Sequence, residues 1–248
     1  MKIHLPSVTT LAPALALALA CAGASAQTIK AVTETSSYTY QKDGKVGGPA
    51  SQIVETTLQR AGLNDYSISL YPWARAYDMA LQEPNVLIYL IARTPARETQ
   101  FKWAGEFIRI EYHFYKLRDQ TQVVVRNLQD AKNYTVGVMR DDVRHEYLQS
   151  QGFTKLVVSA QNSDNFKKLI NRQVQLVPMP EIDAKQLCEE AHFDCAGLEK
   201  VHTLDDLAVG IYMAYSKSTA DEVVARTRTA FNKLKADGSV AKLMNAKR

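Results

Sequence analysis

The sequence predicts two α/β lobes, the second inserted into the first and joined to it by two crossing strands. Three observations lead there. Strand-like and helix-like segments alternate from Ile29 to Ala236 with little between them, the signature of largely parallel sheets covered by helices. The pattern restarts near residue 120, after a long extended segment from Arg109 to Val125. A second extended segment, Val201 to Tyr215, then leads back. Two lobes joined by two strands enclose a cleft, a preferred place for ligands.

The elements follow in order. Ile29 to Glu34 reads as a strand, and Tyr38 to Gly48 as a turn-rich loop with Asp43-Gly44 and Gly47-Gly48. Pro49 to Ala61 is an amphipathic helix, with Ile53, Val54, Thr57, Leu58 and Ala61 on one face and Gly62 closing it. Tyr66 to Tyr71 alternates as a strand, and Pro72 to Gln82 is a helix with proline in its first turn. Val86 to Ile91 is a continuous apolar run, expected of a strand covered on both faces. Glu106 to Lys116 is a longer strand.

In the second half, Asn127 to Lys132, Val143 to Gln151 and Ser163 to Asn171 read as helices. Tyr134 to Val138, Lys155 to Val158 and Val174 to Val177 read as strands. Leu207 to Tyr215 returns as a strand, and Thr219 to Ala236 is a long final helix before Gly238. The lobes are thus expected at 27–118 with 206–248, and at 119–205.

The first residues point to export. Lys2, an apolar run from Leu11 to Ala20 and the small residues Ala24-Ser25-Ala26 make a signal peptide cleaved after Ala26. The run is too short for a permanent span. Cys21 raises lipidation as the alternative, although Ala18-Leu19-Ala20 is a poor box for it. The expected location is the periplasm. Losing 26 of 248 residues leaves 222, and losing Lys2 takes the formal charge from +4 to +3. That balance is too mild, and the basic residues too scattered, for a nucleic-acid partner.

Cys188 and Cys195 are then the two remaining cysteines. In an oxidising compartment a close pair reads as a structural disulfide, with a metal site through the intervening His192 as the alternative. No CxxC or HxxxH supports the metal, so neither metal nor cofactor is expected. His113, His145 and His202 stand singly, and no nucleophile–base arrangement or phosphate-cradling loop is present.

One segment carries the binding chemistry. An apolar strand runs into Thr94-Pro95-Ala96-Arg97, and an arginine fork at such a strand end can grip a carboxylate. The alternative is a surface arginine in a solvated turn.

The order of segments resembles the bacterial extracellular solute-binding proteins of family 3, the polar-amino-acid type serving ABC importers. The resemblance covers the whole mature chain. It rests on Thr33-Glu34 with Tyr38 and Tyr40, on Asp43-Gly44-Lys45-Val46-Gly47, and on Thr94-Pro95-Ala96-Arg97. Asn127-Leu128-Gln129-Asp130, Val136-Gly137-Val138, Tyr215-Ser216-Lys217 and Gly238 continue it. It implies the two-lobe periplasmic-binding-protein fold of type II, each lobe a mixed, mainly parallel sheet flanked by helices. It also implies a monomer that closes by hinge motion on a small carboxylate-bearing solute and delivers it to an inner-membrane permease.

Carried over residue by residue, Arg97 with Thr94 clamps the ligand carboxylate, and Tyr38 or Tyr40 covers its side chain. Trp73 faces the cleft, or else packs in the core of its helix. Three departures stand against a standard α-amino acid. Leu90 and Ala92 replace the family's serines before the turn. Asp141-Asp142 replaces its Gly-Thr pair, either as a helix cap or as anions facing the cleft. Met179 stands near the place of the acid that holds the amino group, with Glu181 and Asp183 just beyond and Glu181 as the candidate. The chain is expected to bind rather than catalyse; a dehydratase-like enzyme and a ligand sensor without a permease are the alternatives. Arg97→Ala is expected to abolish binding at nearly unchanged stability, as an exposed arginine contributes little to folding.

Overall fold

The computed structural model describes residues 28–245, besides Met1. The expected signal peptide and Cys21 lie outside the described residues. The first strand, β1 (Ile29–Thr33), lies between two parallel neighbours, β4 (Tyr66–Leu70) and β5 (Val86–Ala92). β5 is nearly all buried, as its unbroken apolar run requires. Two more strands extend the sheet in the antiparallel sense, β12 (Val209–Ser216) beside β5 and β6 (Phe101–Ile110) beyond it. The order is β4-β1-β5-β12-β6, a mixed sheet flanked by helices as expected, with two parallel and two antiparallel neighbour pairs.

Helices α1 (Pro49–Arg60), α7 (Asp221–Ala236) and α8 (Ser239–Met244) bury one face of this sheet through Ile53, Leu58, Phe231 and Leu234. On the other face, α2 (Trp73–Gln82) buries Trp73, Ala76 and Ala80. The turn-rich loop is a hairpin of β2 (Tyr40–Lys42) and β3 (Lys45–Gly47). Gly48 (φ 101) links it to α1, where a Cβ would lie 2.3 Å from the Tyr38 carbonyl. Only glycine fits that approach.

The single long strand expected over Glu106 to Lys116 is two strands. β6 ends at Ile110, and β7 (His113–Leu117) pairs antiparallel with β10 (Val177–Met179) and β11 (Leu198–Thr203). β7 thus sits in the second lobe's sheet. The apolar alternation continues across Glu111-Tyr112, which is why the break is silent in the sequence. Beside this sheet, β8 (Val136–Met139) and β9 (Leu156–Ser159) pair in parallel, and a bridge from Val136 to Leu176 ties the two groups.

Helices α3 (Leu128–Ala131), α4 (Val143–Ser150), α5 (Asn162–Ile170) and α6 (Glu181–Glu190) complete the second lobe. α6 has no counterpart in the sequence reading. Cys188 near its end is bonded to Cys195 (S–S 2.06 Å), so the pair is a disulfide and not a metal site. It staples α6 to the turn before β11, and α6 carries an acid of the cleft.

Candidate ligand-binding cleft

The cleft lies at the carboxyl ends of the parallel strands, where open α/β sheets place their ligands. From the first lobe come Glu34 and Tyr38 after β1, Trp73 after β4 and Arg97 in the turn after β5. From the second come Asp142 and Arg144 at the start of α4, Asn162 at the start of α5 and Asp183 in the first turn of α6. They enclose a cavity of about 60 Å³, walled otherwise by apolar residues such as Leu90, Ile110 and Tyr112. It shares Glu34, Ser36, Asn162 and Asp183 with an adjoining pocket of about 250 Å³. A larger open groove of about 1370 Å³ runs between the hairpin, α1 and α6, but its charged residues are solvated surface groups.

The lobes are held shut by polar contacts across the cleft. Ser37 Oγ donates to Asp183 Oδ1 at 2.5 Å, and Trp73 Nε1 donates to the Asp141 carbonyl at 2.8 Å. Arg97 Nη2 donates to that same carbonyl at 3.0 Å and to Glu146 Oε1 at 2.7 Å.

Arg97 is only 1% exposed, which corrects the expectation of an exposed clamp. Its guanidinium lies 4.8 Å from the centroid of the Tyr77 ring and 5.8 Å from that of Trp73. Among the described residues its Nε and Nη1 have no hydrogen-bond partner. Burial follows from closure: α4 brings Glu146 over the side chain, 49 residues along the chain. Thr94 supports the turn through its backbone, its carbonyl accepting from Arg97 N at 3.0 Å. Its hydroxyl is buried without a hydrogen-bond partner among the described residues and does not line the cavity.

The two aspartates divide their work. Asp142 caps α4, accepting from Arg144 N at 2.9 Å, and also forms an ion pair with the Arg144 guanidinium. Burial alone would raise its pKa, but the charge and hydrogen bonds of Arg144 outweigh burial and hold the carboxyl below its ordinary value. Arg144 in turn donates to the Pro178 carbonyl at 3.1 Å and stacks over Tyr112.

Asp141 turns its exposed side chain away from the cavity and contributes its carbonyl. Its φ of 56 is left-handed, and that twist presents the carbonyl to Trp73 and Arg97. Asp141→Gly is therefore expected to leave ligand affinity unchanged. Asp141→Ala is expected to cost about 1 kcal/mol of stability in chemical denaturation, because alanine resists that backbone conformation.

The remaining cavity acids are Glu34 and Asp183. Among the described residues, neither forms an ion pair with lysine or arginine. Burial pushes Glu34 up to about 8; Asp142 and Asp183 push the same way, and Arg144 opposes them. Burial also raises Asp183, against the Ser37 hydroxyl and Arg144. Both carboxyls are costly to ionise here without a counter-charge.

Of the residues singled out from sequence, Arg97, Trp73, Tyr38 and Asp142 line the cavity. Tyr40 and Glu181 do not: they border the outer groove, where Glu181 pairs with Lys185 at 2.6 Å. Sequence reasoning did not assign Glu34, Asp183, Arg144 or Glu146 to the cavity. The available signals were that Glu34 directly follows β1 and that Asp183 is two residues from Glu181, on another face of a helix.

No protein-family sequence model matches the chain, and no curated protein matches it by sequence. Its architecture does match solved structures. One is a histidine kinase sensor domain with similarity to periplasmic binding proteins, with TM-score 0.77 and 17% identity, covering 88% of this chain and 94% of that one. Another is the arginine-, lysine-, histidine-binding protein ArtJ from Geobacillus stearothermophilus (TM-score 0.75, 16% identity, 88% and 94% covered). A third is the amino acid ABC transporter substrate-binding protein AbpA from Streptococcus pneumoniae, bound to L-arginine (TM-score 0.74, 17% identity, 88% and 92% covered). At these identities the likeness is one of fold: the chain has the two-lobe, mixed α/β periplasmic-binding-protein fold.

Proposed function

We propose that the chain is a periplasmic solute-binding protein that captures a small polar, amino-acid-like solute between its lobes for ABC-type import. The observation that carries this reading is the closed cavity at the strand ends, lined by charged and aromatic groups from both lobes. The chemistry required is desolvation, charge pairing and closure, with no covalent step. We place the hinge at 111–112 and 204–208, where β6 passes to β7 and β11 to β12. On that division the lobes are 28–110 with 209–245, and 113–203. Opening would break the Ser37, Trp73 and Arg97 contacts with the second lobe, and a ligand bridging the lobes would replace part of that free energy.

The experiment is a thermal-unfolding screen of the purified protein against amino acids, amines and organic acids. A ligand that binds only the folded state raises the melting temperature by mass action. A rise with at least one solute is expected; no rise across the whole panel contradicts the reading. The similarity to a sensor domain favours a second reading, in which the same closure reports the solute to a signalling partner. Pull-down of an ABC permease rather than a sensor kinase would separate the two.

A further inference from the structure

The cavity contains two arginines, and both already have an anion. Arg97 is paired with Glu146, and Arg144 with Asp142. The other places where a carboxylate could be received are also altered. The start of α4 carries the Asp142 carboxyl as its cap, so an anion already occupies the end of the helix that would attract one. The strand before Arg97 offers Leu90 and Ala92 rather than hydroxyls. The two remaining Arg97 donors are buried beside the Tyr77 and Trp73 rings.

Glu34 and Asp183 are the reverse case. They sit on opposite lobes, border both the cavity and its adjoining pocket, and form no ion pair among the described residues. The other charged residue lining the adjoining pocket is acidic as well, Glu190. A positive group between Glu34 and Asp183 would relieve two costly carboxylates at once, and the apolar wall behind them suits a short hydrocarbon body.

We infer that the solute is a small organic cation without a carboxylate, an amine or guanidine held between Glu34 and Asp183, and that Glu146 occupies the place at Arg97 that a ligand carboxylate would take. This rests on the solute-binding reading above and adds the ligand's charge class to it. Glu146 then acts as a specificity residue: it completes the arginine's ion pair internally, so a ligand carboxylate has to displace it.

The test is calorimetric titration at about pH 8.5 with three probes. Agmatine carries a guanidinium and an ammonium but no carboxylate, L-arginine adds the carboxylate, and L-glutamate supplies anionic groups on a similar frame. Agmatine is expected to bind at least as tightly as L-arginine, and L-glutamate not to bind. Glu34→Gln and Asp183→Asn should each weaken agmatine at least about tenfold, as expected for loss of a charged partner. Glu146→Gln should shift preference toward L-arginine by freeing Arg97, a change that mere loss of packing would not produce. Melting curves verify that each variant is folded, and if Asp183→Asn is not, Glu34→Gln decides.

Tighter binding of L-arginine or L-glutamate than of agmatine by wild type, or agmatine affinity unchanged in Glu34→Gln, would overturn the cation assignment. In either case the solute-binding reading would survive. An unchanged preference in Glu146→Gln would overturn the role given to Glu146. Failure of all three probes together with the broad screen would remove both.

Discussion

Glu34→Gln is expected to stabilise the ligand-free protein above neutral pH while weakening amine binding at least about tenfold. Both effects come from one half-buried acid of the cavity wall. Its pKa is raised by burial from an ordinary 4.5 to about 8, helped by Asp142 and Asp183 and opposed by Arg144. Between those values the folded state binds more protons than the unfolded state, so stability falls as pH rises from 4.5 to about 8. Above that window the penalty is constant, and below 4.5 it vanishes.

Glutamine carries no such penalty. The variant should therefore gain on wild type progressively through the window, by about 2 kcal/mol at its upper end once partial solvation of the cavity is allowed for. Urea denaturation at about pH 4 and about pH 8.5 measures it: equal stabilities at the lower pH and a more stable variant at the higher. Binding has the opposite dependence. A cation needs Glu34 ionised, so wild-type affinity for agmatine should rise with pH and level off above about 8. The charged groups facing Glu34 are Asp183 from α6 and Asp142 and Arg144 from the start of α4, and the last two neutralise each other. A site that lowers stability to gain affinity is a common trade in binding proteins.

Arg97→Ala is the second large effect, and its cost in stability corrects the expectation from sequence of almost none. An exposed arginine would cost almost nothing to remove. This one is buried, paired with Glu146, bonded to the Asp141 carbonyl and packed beside two aromatic rings. Truncating a fully buried pair costs about 3–5 kcal/mol, because the surviving charge is stranded. Glu146 is 37% exposed and can regain water, so the cost should fall to about 2–3 kcal/mol. Urea denaturation reads this directly. Arg97→Lys should recover only part of it, since a compact ammonium lacks the planar guanidinium face that lies against the Tyr77 and Trp73 rings. Affinity should also fall, because the closed state loses two of its contacts and the competent population shrinks.

These two residues mark how far the sequence could be read. The apolar run of β5, the amphipathic face of α1 and the turn before Arg97 are local patterns, and the structure has each of them. The mixed strand order is not local: it depends on β12 returning antiparallel beside β5, which periodicity does not encode. Helix α6 was hidden because Pro178 and Pro180 make its start look like a loop, while its acids look like surface charge. Its helical phase puts Asp183 in the cleft and Glu181 outside, a distinction that no reading of 181–183 as a loop could make.

Arg97 was legible as a residue of the cleft by its place in the chain. That Glu146 already holds it depends on how α4 docks across the cleft. Glu34 was visible as a neighbour of β1, but its significance comes from Asp183 and Asp142 approaching from the other lobe. Local chemistry thus identified where the cleft lies, and tertiary pairing decides which charges in it remain unbalanced.

A crystal structure of the protein grown with agmatine would show directly which groups in the cleft hold a cation. The ligand should lie between the lobes, with a nitrogen within hydrogen-bond distance of both Glu34 and Asp183 and the Arg97–Glu146 pair intact. A ligand bound outside the cleft, or a cleft in which Arg97 has left Glu146 for a bound carboxylate, would contradict it.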